Sequence, residues 1–132
     1  MTRLLDTSAL LAFLLNEPDA DRVESFIFDS PGATAVSFAA WVEVQGRLKA
    51  LGLSSEQIEA QMADARKLPI VTLWPDEATL QAMLQIKTSG YFPFAATLIA
   101  ATAQAHKLTL VHKDQHFDSL PPSIRQINLA KK

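Results

Sequence analysis

The sequence predicts one α/β domain, a three-layer α/β/α sandwich in which helices cover both faces of a mostly parallel central sheet. Its length of 132 residues is that of a single ordinary domain, so we expect residues 1–132 to form one unit. The content of 48% hydrophobic and 20% charged residues is typical of a compact globular protein. Short apolar segments alternate with segments of helical pattern, and this order favours a parallel sheet.

In the first half of the chain, short apolar runs and capping residues mark the elements. The patterns predict a strand at 3–5, a helix through Leu15, a second helix from Pro18-Asp19 to Ser30-Pro31-Gly32, a strand at 34–36 and a helix at 38–50. Ser37 is a favourable cap for the last of these helices, and Gly52 follows it as a stop signal.

In the second half, a capping box opens the first helix and a proline opens the last. Ser54 with Gln57 predicts an amphipathic helix that turns Ile58, Met62 and Ala65 inward. The remaining patterns predict a buried strand at 69–73, a helix from Asp76 to near Gly90, a deeply buried helix from Pro93 to about His106, a strand at 108–111 and a last strand at 124–129.

Composition excludes several function classes. The chain has no cysteine, which rules out disulfides, thiolate nucleophiles and Cys-ligated zinc and fits a reducing compartment. The apolar run from Ala9 to Leu15 is too short to cross a membrane, so we expect a cytoplasmic protein. A net charge of −2 gives no general attraction to nucleic acid, and RNA binding would need a local basic patch or metal ions.

Three carboxylates occupy positions that suggest a metal site. Asp6 and Asp114 each follow a predicted strand, and Glu43 lies on the helix after the second strand. If the two strands are neighbours, their carboxyl ends bring the acids to one edge of the sheet, where ligands of such folds gather. Hard oxygen ligands suit Mg²⁺ or Mn²⁺, whereas clustered carboxylates without a cation repel one another.

Each acid also has a simpler interpretation. Asp6 could cap the following helix, Glu43 could pair with Arg47 one helical turn later, and Asp114 could be an ordinary turn residue. The metal-site hypothesis therefore depends on the three acids together.

Polar and aromatic residues near these acids are less informative. Thr7 and Ser8 could orient Asp6 or a metal-bound water, or simply cap the helix. His116 could meet RNA phosphates or belong to the surface. We further expect a solvated strand end at His112, and a packing role for Trp74.

Four segments resemble the motifs of the PIN-domain family. The segments are Leu4-Leu-Asp-Thr-Ser-Ala-Leu-Leu11, Ser37-Phe-Ala-Ala-Trp-Val-Glu-Val-Gln-Gly-Arg-Leu48, Phe94-Ala-Ala-Thr-Leu-Ile-Ala-Ala101 and Thr109-Leu-Val-His-Lys-Asp-Gln-His-Phe117. They occur in the family's order and spacing. Size and layout further resemble VapC-type toxins.

The resemblance implies a PIN-like fold and a Mg²⁺-dependent endoribonuclease toxin of a type II toxin–antitoxin system. It implies that Asp6, Glu43 and Asp114 bind Mg²⁺ or Mn²⁺ and act in catalysis, with Thr7, Ser8 and His116 around them. The implied partners are an RNA substrate, a VapB-type antitoxin and a second copy of the chain in a homodimer.

One motif position departs from the family pattern. The third motif usually has Asp at the position of Ala96, and the hydroxyl of the neighbouring Thr97 points about 100° away around the helix. Loss of this acid should weaken ion binding and impair activity. Either a natural loss or a deliberate Asp to Ala change would produce the pattern; the intact remaining motifs favour the deliberate change, and the genomic codon for residue 96 decides between them.

Two other functions fit the same residues. A non-catalytic PIN-fold protein could bind RNA or an antitoxin without cutting. A response-regulator phosphoacceptor also collects acids at strand ends, but it would need two adjacent acids near the first strand, where Asp6 has only Arg3 and Thr7 nearby.

Overall fold

A five-stranded parallel sheet forms the centre of the protein. The computed structural model describes residues 1–90 and 92–131. The strands are β1 (Arg3–Leu5), β2 (Thr34–Ser37), β3 (Val71–Leu73), β4 (Thr109–His112) and β5 (Gln126–Asn128). They lie in the order β3-β2-β1-β4-β5, and every neighbouring pair is parallel. The parallel α/β architecture predicted from the sequence is confirmed.

Helices fill the connections between the strands. Within the described ranges they are α1 (Thr7–Leu14), α2 (Ala20–Phe28), α3 (Phe38–Ala50), α4 (Ser55–Ala65), α5 (Glu77–Ser89) and α6 (Phe94–His106), with a 3₁₀ turn at Gln115–Ser119. The connections from β1 to β2 and from β2 to β3 advance in one direction across the sheet, whereas that from β3 to β4 returns. Because parallel crossovers are right-handed, the returning connection places α5 and α6 on the opposite face from α1 to α4.

Capping residues set the helix ends much as expected. Ser54 and Gln57 form the reciprocal bonds of a capping box, and Asp76 caps α5 through Thr79. Helix α6 begins after Pro93, and its residues 97–103 are buried, as the apolar run predicted. No helix within residues 1–90 and 92–131 combines the length and apolar content needed to cross a membrane.

The strand at 69–73 differs from its predicted form. Strand β3 begins at Val71, and this residue is 37% exposed although the strand was expected to be buried. Its position at the edge of the sheet explains the difference, because an edge strand has a neighbour on one side only. The last strand is likewise shorter than residues 124–129 and covers Gln126–Asn128.

The central position of β1 determines where the first motif lies. Leu5 pairs with Val36 of β2 on one side and Val111 of β4 on the other. The backbone N–H of Asp6 continues this pairing and donates to the Val111 carbonyl at 3.0 Å. The carboxyl ends of β1 and β4 are therefore adjacent, as the metal-site hypothesis requires.

Candidate metal centre

A pocket of about 220 Å³ lies at the carboxyl ends of β1 and β4. It is lined by residues of all four motif segments, together with Pro93: Asp6, Thr7, Ser8, Glu43, Arg47, Pro93, Ala96, Ile99, Asp114, His116 and Phe117. The structure thus brings all six predicted site residues to one cavity, although they are distributed from position 6 to position 116.

Asp6 caps helix α1 and is almost completely buried, at 3% exposed. Its carboxylate accepts the backbone N–H of Ala9 at 2.8 Å and the hydroxyl of Ser8 at 2.7 and 2.9 Å. Burial raises the pKa of Asp6 to about 7, against the lowering effect of these bonds, and the nearby carboxylates of Asp114 and Glu43 raise it further. The helix-cap interpretation is therefore correct, and it is compatible with a place in the pocket.

Ser8 connects the first and fourth motifs. Its O–H donates to Asp6, and its oxygen accepts the backbone N–H of Lys113 at 2.8 Å. The Lys113 ammonium in turn reaches Glu17 at 3.1 Å and Asp19 at 3.0 Å in the connection between α1 and α2. The bond to Asp19 is the main cause of a raised pKa at Lys113. These contacts fix the segment after β4 against the start of α1.

Glu43 reaches the pocket from helix α3. The hydroxyl of Thr7 donates to its Oε1 at 2.5 Å, across the gap between α1 and α3. Arg47 lines the same pocket, but the described residues include no ion pair between Glu43 and Arg47. The i,i+4 pair offered as the simpler interpretation is therefore absent, and the side chain of Glu43 is held by Thr7 instead.

Asp114 caps the 3₁₀ turn that follows β4. Its Oδ1 accepts the backbone N–H of His116 at 2.9 Å, and the ring Nδ1 of His116 lies 2.9 Å from the same oxygen. Both side chains remain accessible, at 35% for Asp114 and 63% for His116. Asp114 is therefore both a turn residue and an acid that lines the pocket.

His112 is not the solvated strand end that we expected, because it is fully buried. Its Nδ1 accepts the backbone N–H of Asp114 at 3.1 Å, its Nε2 lies 2.8 Å from Gln126 Oε1, and its ring packs edge-on against Phe117. Burial lowers its pKa, which favours the neutral ring. His112 therefore supports the turn that carries Asp114, a role that a single histidine at the end of an apolar strand did not reveal.

Ala96 presents a methyl group at the position where the resemblance led us to expect a carboxylate. It lies in the first turns of α6 and lines the pocket. Thr97 does not replace the missing oxygen, since it is fully buried and its hydroxyl donates to the Pro93 carbonyl at 3.0 Å. Among the described residues, the pocket therefore has three carboxylates, and α6 brings no polar side-chain group to it at position 96.

The three carboxylates are suitable ligands for a hard divalent cation, but their side chains are not arranged around a single point. Among residues 1–90 and 92–131, no three His, Asp or Glu side chains stand close enough together to form a ready ligand set. Asp6 is nevertheless a buried acid facing two other acids, and its ionised form is disfavoured there. A cation in the pocket would offset that cost, so the donors fit such an ion even though their side chains are not gathered around one point.

Comparison with known proteins identifies the fold family. A family model described as the PIN domain matches residues 3–121. None of the curated proteins matches the sequence significantly.

Solved structures show the same fold at low sequence identity. The chain resembles one in VapBC2 from Rickettsia felis bound to a DNA fragment from its promoter, with a TM-score of 0.78 and 18% identity over 97% of this chain and 98% of that one. DNA-bound VapBC from Salmonella typhimurium gives a TM-score of 0.76 and 20% identity over 98% of this chain and 99% of that one. VapC20 from Mycobacterium tuberculosis, a sarcin–ricin loop cleaving toxin, gives a TM-score of 0.68 and 10% identity over 89% of this chain and 94% of that one. With the family model covering most of its length, this chain belongs to the PIN domain family.

Proposed function

We propose that the protein is a VapC-type toxin, a Mg²⁺- or Mn²⁺-dependent endoribonuclease whose activity is impaired by Ala96. One observation carries this proposal: Asp6, Glu43 and Asp114 line a single pocket at the carboxyl ends of two adjacent parallel strands. Family membership supports nuclease chemistry, and the likeness to VapC20, a toxin that cleaves an RNA loop, supports RNA as the substrate.

In this proposal the three acids hold the ion and their neighbours hold the acids. A divalent ion bound there would polarise a scissile phosphate and lower the pKa of an attacking water. Ser8 and the N–H of Ala9 orient Asp6, and Thr7 orients Glu43. Asp6 must lose its proton to act as a ligand, and its pKa of about 7 makes this loss strongly pH-dependent near neutrality.

The partners are also part of the proposal. Several similar structures are VapBC or other toxin–antitoxin complexes, which supports a VapB-type antitoxin as the partner of this chain. We propose a homodimer and a cytoplasmic location, where the RNA substrate is found and a protein without cysteines needs no oxidising compartment.

Restoring the acid tests the enzyme function directly. The Ala96→Asp protein with Mg²⁺ should cleave RNA and arrest growth on expression, and a chelator should stop the cleavage. The matched control is Ala96→Asn, which adds nearly the same volume without a charge. If the Ala96→Asp protein folds yet neither cleaves RNA nor stops growth, the ribonuclease proposal is wrong.

A second candidate is a PIN-fold protein that binds RNA or an antitoxin without cutting. The methyl group of Ala96 and the absence of a compact three-ligand group among the described residues favour it. It differs in its outcome, because such a protein would bind its partner and show no metal-dependent turnover even after Ala96→Asp.

A further inference from the structure

Trp74 and Phe38 form a stacked aromatic pair at the surface, in which Trp74 is exposed and Phe38 is partly buried. Their ring centroids lie 5.4 Å apart, and their planes are nearly parallel at 17°. Trp74 is 67% exposed, so the expectation that it serves only packing is incomplete. One face of its indole is supported by Phe38, and much of the rest of the side chain is open to solvent.

The pair lies at the same edge of the sheet as the carboxylates. Phe38 directly follows β2, and Trp74 directly follows β3. Because neighbouring strands are about 4.8 Å apart, the carboxyl end of β3 lies on the order of 10 Å from that of β1, which carries Asp6. Phe38 also belongs to helix α3, five residues before Glu43. The pair and the pocket therefore share a sheet edge and a helix.

The indole is mounted on a short and well-anchored connection. Only Trp74 and Pro75 separate the end of β3 from Asp76, the cap of α5. Asp76 is fixed by the backbone N–H and the hydroxyl of Thr79, both at 2.9 Å. The backbone that carries Trp74 is therefore held in place, and Phe38 supports the ring, so little further freedom is lost when a planar group stacks on it.

Charge alone gives an RNA strand little hold near the pocket. Lys113 is paired with Glu17 and Asp19, and His116 with Asp114. Lys131 has an ionic partner as well, in Asp118. Arg47 lines the pocket and forms no ion pair with an acid in the described part of the chain. With a net charge of −2 as well, the side chains add little ionic attraction for nucleic acid to that of a bound metal ion, so a contact that is not ionic would contribute substantially to binding.

We propose that Trp74, supported by Phe38, stacks on an unpaired base of the RNA strand whose phosphate lies at the carboxylate pocket. This inference rests on the proposed ribonuclease function and adds to it a site for the neighbouring nucleotide. Every base has a face that can stack on an aromatic ring, so the contact contributes affinity and placement with little sequence preference. It also favours single-stranded or looped RNA, whose bases are free to turn outward.

Tryptophan fluorescence can test the contact, because the two tryptophans differ in environment. Trp41 is buried and donates its Nε1 hydrogen to Thr72 Oγ1, whereas Trp74 is exposed. In the Trp41→Phe variant, titration with a short single-stranded RNA of mixed sequence in Mg²⁺ should quench the remaining emission and protect it from acrylamide. If that variant does not fold, the unsubstituted chain serves, since burial shields Trp41 from acrylamide.

Affinity measurements on matched variants complete the test. Trp74→Ala should weaken RNA binding about 5- to 150-fold, the range that stacking of one base on an aromatic side chain supplies. Trp74→Phe should weaken it less, because a smaller stacking face remains. The control is Leu84→Ala, which removes an apolar side chain of 54% exposure from helix α5.

Each contrary outcome identifies what is wrong. If Trp74→Ala binds RNA as tightly as the unsubstituted protein while Asp6→Asn or Glu43→Gln binds it more weakly, the stacking contact is overturned and the proposed function remains. If neither the unsubstituted chain nor Ala96→Asp binds RNA, both proposals fail. If a co-purified antitoxin protects Trp74 and RNA does not, the aromatic pair is a protein contact, and the stacking inference is wrong.

Discussion

Helices α1 and α6 both begin beside the pocket, but they contribute to it very differently. The start of α1 supplies Asp6, which is buried and held by Ser8 and Ala9. The start of α6 has Pro93 as its cap, with no side-chain capping bond, and lines the pocket with the apolar side chains of Pro93, Ala96 and Ile99. The contacts that orient a carboxylate are thus present on one side of the pocket, while the other side has no carboxylate at position 96.

Restoring the acid on α6 should have the largest effect on this contrast. In Ala96→Asp a fourth carboxylate joins Asp6, Glu43 and Asp114, and we expect Mn²⁺ affinity to rise at least about 10- to 100-fold, the scale on which even indirect supports of a metal site act. Isothermal titration calorimetry with Mn²⁺ alone measures this rise without any need for the RNA substrate.

The same substitution should lower stability when no metal is present. A fourth acid adds like-charge repulsion to a pocket in which burial, and to a smaller extent the neighbouring acids, already raise the pKa of Asp6. Ala96→Asn separates charge from volume, because it should show neither the gain in Mn²⁺ affinity nor the charge-dependent loss of stability. Equal Mn²⁺ affinity for the Asp and Asn variants would show that the pocket does not use a carboxylate at position 96.

Removing the charge of Asp6 should weaken metal binding and raise the stability of the metal-free protein. Asn caps helices about as well as Asp, so Asp6→Asn should keep the bond from Ala9 while losing the carboxylate. Because the folded pKa of about 7 lies above the ordinary 3.8, the folded state binds more protons than the unfolded state between these values. The unfolding free energy of the unsubstituted protein should therefore fall as the pH rises from about 4 to 7.

Urea unfolding of Asp6→Asn across this pH range measures the effect. Without metal, the variant should be more stable than the unsubstituted protein by up to about 4 kcal/mol at pH 8, and the difference should disappear near pH 4. Mg²⁺ should stabilise the unsubstituted protein but not the variant. A difference in stability that is independent of pH would mean that Asp6 is not the group whose titration is linked to folding.

Glu43→Gln should have a smaller effect, because the Gln amide can still accept the Thr7 hydroxyl. We expect Mn²⁺ affinity to fall about 10-fold or more, with little change in the free energy of unfolding. Thr7→Val is the matched variant, since it keeps Glu43 and removes only the hydroxyl that orients it. Should Glu43→Gln bind Mn²⁺ as the unsubstituted chain does, Glu43 is not a ligand.

Much of the fold was legible in the sequence because local signals agreed with one another. The Ser54 capping box, the Asp76 cap and the apolar run after Pro93 each act within a few residues, and the structure has all three where the sequence placed them. The exposure of Val71 was not foreseen, because whether a strand lies at the edge or in the centre depends on its neighbours in space.

The sequence predicted which acids lie together at the candidate site, but not the hydrogen bonds and contacts that hold them. Spacing and strand ends placed Asp6 and Asp114 at one sheet edge, and they line one pocket there. The link from Lys113 through Ser8 to Asp6 spans more than a hundred positions, and the burial of His112 depends on Gln126 and Phe117. Local pattern carries no signal for such long-range partners.

We expect the smallest effect from removing the ion pairs that Lys113 forms near the start of α1. Lys113→Met keeps the backbone N–H that bonds to Ser8 and removes the ammonium that holds Glu17 and Asp19. Because this pair is partly exposed, we expect a loss of about 1 kcal/mol or less in the free energy of unfolding, smaller still in high salt. Mn²⁺ affinity should stay nearly unchanged, since the bond to Ser8, which orients Asp6, is donated by the backbone N–H of Lys113 and not by its side chain. A large loss of affinity would show instead that the lysine side chain, and not the backbone after β4, keeps the α1 side of the pocket in place.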